Sequence, residues 1–216
     1  KLCLVQLAGE QEAAAVDPLA PGIDLAPLLE LMADERVLKV FHACRQDLEI
    51  FWILMGGRVP APIYDTQVAA MVCGFGEEVA YDTLVQKLAK ARLDKSFRFT
   101  DWSRRPLTEA QLRYALADVT HLRVIFEQLA SRIDAAGRSE WVAEELARLS
   151  DPSLFEQPPE EAWRRLKLRT RDPRFLAVAQ RLAAWRERTA RARNLPRQRI
   201  LRDDLLLEIA AHKPRT

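Results

Sequence analysis

Val37-Leu38-Lys39-Val40-Phe41 runs without a break into His42-Ala43-Cys44-Arg45-Gln46-Asp47 and then Leu48-Glu49-Ile50-Phe51-Trp52-Ile53-Leu54-Met55-Gly56-Gly57, and this stretch decides the fold class. Its first five residues are short, apolar and partly β-branched, which predicts a strand. Leu48, Phe51, Trp52 and Met55 then recur at i, i+3, i+4 and i+7, which predicts a helix stopped by the two glycines. A strand passing directly into a helix is the unit of an α/β layer. Upstream, residues 2–7 (Leu-Cys-Leu-Val-Gln-Leu) read as a strand buried on both faces, so the chain is expected to open inside a sheet. Residues 13–16 predict the next strand, ended by Asp17-Pro18. Asp24 then caps a helix carrying Leu25, Leu28, Leu29 and Met32.

Downstream the pattern turns helical. Asp65 is placed to cap residues 66–73, Gly74 and Gly76 break that helix, and Leu84, Val85 and Leu88 mark another. Thr108 and Gln111 spell a capping box that opens the strongest periodic run. In it Leu112, Leu116, Val119, Leu122, Phe126, Leu129 and Ile133 predict one long helix reaching Gly137. The proline-rich, acidic stretch 146–160 is expected as a linker, which divides the chain into a body over 1–145 and a helical tail over 161–216. The tail reads as one helix over about 173–193 and a second from about 203, and Trp185, three residues after Leu182, is expected in its core.

Of the 216 residues, 49% are apolar and 30% charged, enough to bury a core and too apolar for a disordered chain. The longest apolar run, 68–75, is far short of the ~18 residues a membrane span needs. No leader, membrane association or obligate protein partner is expected. Three cysteines without a Cys-x-x-Cys fit neither a disulfide framework nor a zinc knot and suit a reducing cytoplasm. Residues 161–216 hold 16 Lys and Arg against 6 Asp and Glu, while residues 1–160 hold 17 against 25. A basic tail attracts polyanions, whereas an acidic body repels them unless metal ions neutralise it locally.

Two constellations can carry chemistry. Asp47 follows the strand 37–41, where α/β sheets gather ligands, and lies beside an apolar stripe, so it must be paired, hydrogen-bonded or metal-bound. Its plainer reading is a helix-start charge favoured by the dipole. Tyr114 and Asp118, at i and i+4, share one helix face and can act together, with oxygen ligands for Mg²⁺ or Mn²⁺ and a phenol to orient water. A solvated face is the plainer reading of that pair.

Val40-Phe41-His42 through Asp47-Leu48-Glu49, Tyr64-Asp65-Thr66-Gln67, Leu93-Asp94-Lys95-Ser96, Asp101-Trp102 with Arg105-Pro106-Leu107-Thr108, and Tyr114-Ala-Leu-Ala-Asp118 together resemble bacterial ribonuclease D. That family of 3′-to-5′ exonucleases uses four acidic residues and a tyrosine. The resemblance implies an α/β, ribonuclease H-like exonuclease domain over 1–145, followed by a partial helical module like the helicase-and-ribonuclease-D C-terminal (HRDC) domain. It also implies a metal-dependent exoribonuclease that hydrolyses RNA 3′ ends, such as those of tRNA precursors, to nucleoside 5′-monophosphates. Asp47, Tyr114 and Asp118 match the catalytic positions. Asp118 would hold the first of two divalent ions (Mg²⁺ or Mn²⁺), Asp47 the second, and Tyr114 the nucleophilic water. Two cations about 3.5–4 Å apart can stabilise both oxygens of an in-line displacement.

The family's Asp-x-Glu pair, on a strand ahead of the one resembling residues 2–7, has no counterpart here, so the first strand is expected to be lacking. Asp47-x-Glu49 has the spelling, but on a helix those residues diverge, and Glu49 is read as a surface charge. The rival reading is a non-catalytic RNA-binding protein that keeps the fold without a complete metal site. His42, Lys95 and Trp102 are candidate RNA contacts through the cleft, the backbone and base stacking. Each has a structural reading too, His42 as a hydrogen-bonded strand end and the aromatics as loop packing.

Overall fold

A computed structural model describes residues 2–94, 96–97, 100–156, 158–168, 170, 172–193 and 195–212. The chain divides into two compact units, residues 1–155 and 156–216. In the first, β1 (Val5–Ala8) and β2 (Ala13–Val16) form an antiparallel hairpin with Val5 opposite Val16 and Ala8 opposite Ala13. β3 (Lys39–Phe41) and β4 (Ile63–Asp65) pair in parallel, with Lys39 opposite Ile63 and Phe41 opposite Asp65. The apolar run 2–7 is therefore not a strand buried on both faces: only Val5–Ala8 is extended, and Val5 alone in it is buried. Its other side chains border a cleft, which is why an apolar run is left half-covered.

The helices of this unit follow their sequence signals closely. Asp24 accepts the Ala26 N–H at 2.9 Å before α1 (Ala26–Ala33), and α2 (Arg45–Leu54) ends at Gly56 and Gly57, both at positive φ. α3 (Thr66–Val72) is capped by Asp65, and α4 (Tyr81–Leu84) runs into a wider π turn over Val85–Ala89. Asp65 does more than cap. Its buried carboxylate accepts the Gln67 N–H at 2.7 Å and also the N–H groups of Ala43 at 3.1 Å and Cys44 at 2.7 Å, at the turn from β3 into α2. Ala43 occupies the left-handed region (φ 55°), which costs an L residue roughly 1 kcal/mol and is held by these bonds.

The long helix expected from Thr108 is two. The capping box forms, with the Gln111 side chain accepting the Thr108 N–H at 2.8 Å and Thr108 Oγ1 accepting the Gln111 N–H at 3.2 Å, and opens α5 (Glu109–Thr120). A break at His121 then separates α5 from α6 (Leu122–Ala135). No glycine or proline marks it; the two helices pack on different partners, α5 on β1 and β2, α6 on α3 and the π turn. The predicted stripe divides accordingly. Ile125, Leu129 and Ile133 of α6 are buried with Ala69, Ala70, Leu84 and Leu88, and Leu122 is buried beside the cleft, whereas in α5 only Ala115 is fully buried and Leu112, Leu116 and Val119 are half-covered. α7 (Ser139–Leu149) extends into the stretch expected as linker, where Leu149 and Phe155 pack on Cys44, Leu48 and Ile63.

The second unit comprises a 3₁₀ stretch over Pro159–Arg165, α8 (Pro173–Arg193), α9 (Arg197–Ile200) and α10 (Asp203–His212). α8 presents Phe175, Ala179 and Ala183 to Ala162, Leu166, Leu206 and Ala210. Trp185, expected in this core, is 48% exposed, and its neighbour Arg186 is 1% exposed instead. Arg186 donates through Nη1 to the Leu201 carbonyl at 2.9 Å and to Asp203 Oδ1 at 2.6 Å. A buried guanidinium so bonded ties the α9–α10 turn to α8, and the indole is left on the outer face.

Asp65→Ala would leave three backbone N–H groups without their acceptor, those of Ala43 and Cys44 at the β3–α2 turn and that of Gln67 at the start of α3. An unsatisfied buried donor costs about 1–3 kcal/mol, and the Cys44 N–H is buried while the other two are partly so, so urea denaturation is expected to show a loss of about 2–3 kcal/mol. Ala43→Gly is expected to stabilise by up to about 1 kcal/mol by relieving the left-handed alanine. A loss below about 1 kcal/mol for Asp65→Ala would contradict the triple anchoring.

Candidate active site

A cleft of about 940 Å³ opens in the first unit between β1, β3, the start of α2, Tyr81 and the α5–α6 junction. Asp47, in the first turn of α2, and Asp118, near the end of α5, both line it, together with His42, Tyr81, Phe51 and Phe126. Two carboxylates 71 positions apart are thus brought to one cavity, as the sequence reading required. Neither is buried in an apolar edge: both reach solvent through the cleft, and among the described residues neither has a hydrogen-bond or ion-pair partner. The cleft walls still strip water from them. Desolvation pushes the Asp118 carboxyl up to about 6, and raises Asp47 with a further push from the charge of Asp65.

Direction of shift separates these two from the rest. Asp17, Asp34, Asp94, Asp101, Asp151 and Asp204 all sit low, held down by guanidinium, hydroxyl or backbone donors. Among the described aspartates whose pKa departs clearly from the ordinary value, only Asp47 and Asp118 move up. Desolvated carboxylates without a donor are the arrangement a bound cation relieves.

Tyr114 does not line the cleft. It lies one turn before Asp118 on α5, half-buried, with the Trp102 indole stacked on it at 5.9 Å between centroids and 27° between planes. The Phe97 ring meets it edge-on at 6.0 Å. Trp102 is therefore engaged with a protein ring in this structure. His42 borders the cleft with its Nδ1 3.0 Å from Thr66 Oγ1, which itself donates to the Phe41 carbonyl at 2.9 Å. Burial lowers its pKa, with Asp65 and the Val79 carbonyl pulling the other way. Lys95 lies outside the described residues, and Glu49 is exposed, as expected of a surface charge.

Tyr81 escaped the sequence reading. Its ring lies 5.4 Å from that of His42, its hydroxyl reaches toward the Ala117 carbonyl at 3.5 Å, and burial followed by the charge of Asp118 raises its pKa. No local signal marks it, because its place in the cleft is set by α5, more than thirty residues away.

Asp47 and Asp118 offer hard oxygen donors of the kind Mg²⁺ and Mn²⁺ prefer, and their raised pKa values fit a cation. Among the described residues no group of three His, Cys, Asp or Glu gathers around a common point, so the two carboxylates fit part of a metal shell.

The pattern described as 3′-5′ exonuclease matches residues 1–134, and that described as HRDC domain matches residues 175–216. The chain is 56% identical over 220 residues to "Ribonuclease D" of Jannaschia sp. (strain CCS1), covering 100% of this chain and 57% of that protein. It is 58% identical over 214 residues to "Ribonuclease D" of Gluconacetobacter diazotrophicus, covering 99% of this chain and 54% of that protein. The crystal structure of Escherichia coli RNase D, described as an exoribonuclease involved in structured RNA processing, superposes with a TM-score of 0.86 at 36% identity, over 99% of this chain and 56% of that one. The chain thus spans little more than half the length of these relatives.

Asp118 has a folded pKa of about 6 against the ordinary 3.8, so the folded state holds the extra proton between those values and stability falls as pH rises through that window. Asp118→Asn removes the ionisation. In metal-free buffer its melting temperature is expected to exceed that of the parent above pH 6, with the gain shrinking toward zero near pH 4. Adding Mg²⁺ is expected to raise the parent and leave the variant unmoved. A variant that melts lower than the parent at pH 7 would overturn the electrostatic account.

Proposed function

The chain belongs to the ribonuclease D family of 3′-5′ exonucleases, and from that premise we propose that it removes nucleotides from RNA 3′ ends, releasing nucleoside 5′-monophosphates with the help of two divalent metal ions. The single observation that carries the reading is the pair Asp47 and Asp118, brought from two helices into one cleft, each with a raised pKa and no hydrogen-bond or ion-pair partner among the described residues. The 3′-5′ exonuclease family is divalent-metal dependent. Asp47 and Asp118 would hold Mg²⁺ or Mn²⁺, which when bound would supply Lewis-acid stabilisation of the charge developing on the scissile phosphate.

The chain's own residues do the rest. Asp118 and Asp47 present carboxylate oxygens from α5 and α2, on the two sides of the cleft. Tyr114, one turn before Asp118 on α5 and outside the cleft lining in this structure, is the residue of this reading whose phenol would orient the attacking water. Water attacks phosphorus, the bond to the 3′ oxygen of the preceding nucleotide breaks, and that oxygen takes up a proton. His42, Lys95 and Trp102 are the RNA contacts of this reading, and the Arg-rich second unit, in a segment matching the HRDC domain, adds salt-sensitive, sequence-independent affinity. Structured RNAs, tRNA precursors among them, are the substrates, in keeping with the description of the E. coli relative. Three free cysteines suit a reducing cytoplasm. No described helix is long and apolar enough to cross a membrane.

The test is digestion of 5′-labelled RNA with an unpaired 3′ end in Mg²⁺ or Mn²⁺. A ladder of products shortened from the 3′ end is expected, absent with EDTA and with Asp118→Ala. Tyr114→Phe is expected to bind the RNA as the parent does and to cut it roughly 10²-fold more slowly. Intact RNA in every lane would refute catalysis by this chain and leave an RNA-binding protein with a partial metal shell.

A further inference from the structure

One guanidinium outside the cleft makes more hydrogen bonds than any other described side chain. Arg105 donates through Nε to Asp17 Oδ2 at 2.6 Å and through Nη2 to Asp17 Oδ1 at 2.5 Å, a bidentate fork. Nη2 also donates to the Cys3 carbonyl at 2.6 Å, and Nη1 to the carbonyls of Trp102 at 2.9 Å and Arg104 at 2.8 Å. All five bonds fall on backbone or carboxylate oxygens of three separate segments: the residues just before β1, the end of β2, and the loop that enters α5. The Arg105 side chain is 26% exposed and that of Asp17 33%, so the pair is partly shielded from water.

The loop it anchors carries Trp102, and Trp102 lies flat on Tyr114. Rotation of a half-buried tyrosine is limited by the rings that cover it, and here the covering ring belongs to a loop with no strand or helix to hold it. Between Leu93 and Pro106 the described backbone forms turns only. The anchor is thus external to the loop. β1 and β2 pack directly on α5, the helix carrying Tyr114 and Asp118, so Arg105 locks the loop to the same surface on which that helix rests.

We infer that Arg105 is a positioning residue: by clamping the Trp102 loop to Asp17 and Cys3 it holds the indole against Tyr114 and so fixes the phenol one turn from Asp118. Its kinetic consequence rests on the exonuclease reading; the clamp itself does not. Lysine cannot substitute, since a single ammonium cannot form the fork and reach the Cys3, Trp102 and Arg104 carbonyls together. A positional error at a reacting group lowers turnover more than it lowers affinity.

The test labels the chain with 5-fluorotryptophan and follows the Trp102 fluorine resonance, assigned by its loss in Trp102→Phe. In the parent this resonance is expected to be displaced by the Tyr114 ring. In Arg105→Gln, and in part in Arg105→Lys, it is expected to move to the position of an exposed indole. Asp17→Asn, which keeps one acceptor oxygen, is expected to give a smaller shift in the same direction, and thermal melts show which variants remain folded. On labelled RNA, Arg105→Gln is expected to lower kcat roughly tenfold with KM changed less than about twofold. In a Tyr114→Phe background that same substitution is expected to cost no more than about twofold, because the hydroxyl it aligns is gone. An unmoved Trp102 resonance in folded Arg105→Gln, or a kinetic loss undiminished in the Tyr114→Phe background, would overturn the inference. If the parent chain leaves RNA uncut, the exonuclease reading fails and the fluorine resonance alone decides the clamp.

Discussion

The first unit depends on one buried carboxylate. Asp65 ends β4, begins α3 and accepts the two N–H groups that turn β3 into α2. Without it the parallel β3–β4 pair, whose last matched residues are Phe41 and Asp65, would have no fixed continuation on either strand. With it the chain reverses through a left-handed Ala43 and sends α2 off at an angle that points Asp47 into the cleft. The same bonds settle which aspartate faces the cleft without a countercharge. The oxygens of Asp65 are engaged by backbone donors, whereas Asp47, two residues into the helix that Asp65 anchors, has none among the described residues.

This arrangement also shapes the electrostatics. A carboxylate fixed close to Asp47 raises that group's pKa beyond what desolvation alone would do. Asp118, approached from the other side, is raised by the walls of the cleft. Elsewhere Asp17 is paired with Arg105 and Asp34 with Arg36, whereas Asp47 and Asp118 at the cleft have no ion-pair partner among the described residues. A concavity with unrelieved negative charge is unfavourable until a cation enters, and that cost is the free energy from which metal affinity is drawn.

What could be read in the sequence was whatever is local. The strand-to-helix junction at 41–45, the capping box at Thr108 and Gln111, the Asp65 cap and the glycines that stop α2 and α6 each rest on bonds spanning a few residues, and each has a residue signature. Asp47 and Asp118 were legible because their spacing and the family resemblance named them. The break at His121 was not, since the periodicity of apolar residues continues through it and only the change of packing partner, from the β1–β2 hairpin to α3, divides the helix. Trp185 was misjudged for the same reason. Helical spacing marks a face, but the buried face of α8 was chosen by alanines that admit a close neighbour and by Arg186, whose value lies in partners fifteen and seventeen residues away. Tyr81 enters the cleft through α5, with no trace in its own neighbourhood.

Arg105 and Arg186 solve one problem in two places. Each serves carbonyl oxygens where the chain is irregular, Arg105 those of Cys3, Trp102 and Arg104 and Arg186 that of Leu201 just past α9, and the last carbonyls of a helix or those of a loop have no intrahelical donor. A guanidinium can serve several of them at once while pairing a carboxylate, Asp17 in one case and Asp203 in the other. Hydrophobic packing cannot do this, because loops that carry aromatic rings expose too much backbone to be held by apolar contact alone. The consequence for the cleft is that its precision is set at a distance. Asp47 is aimed by a carboxylate at the end of another strand, and the aromatic cover of Tyr114 is aimed by an arginine bonded to the β1–β2 hairpin. Neither anchoring residue needs to touch a substrate, and a substitution at either changes the angle at which a reactive group is presented before it changes the fold.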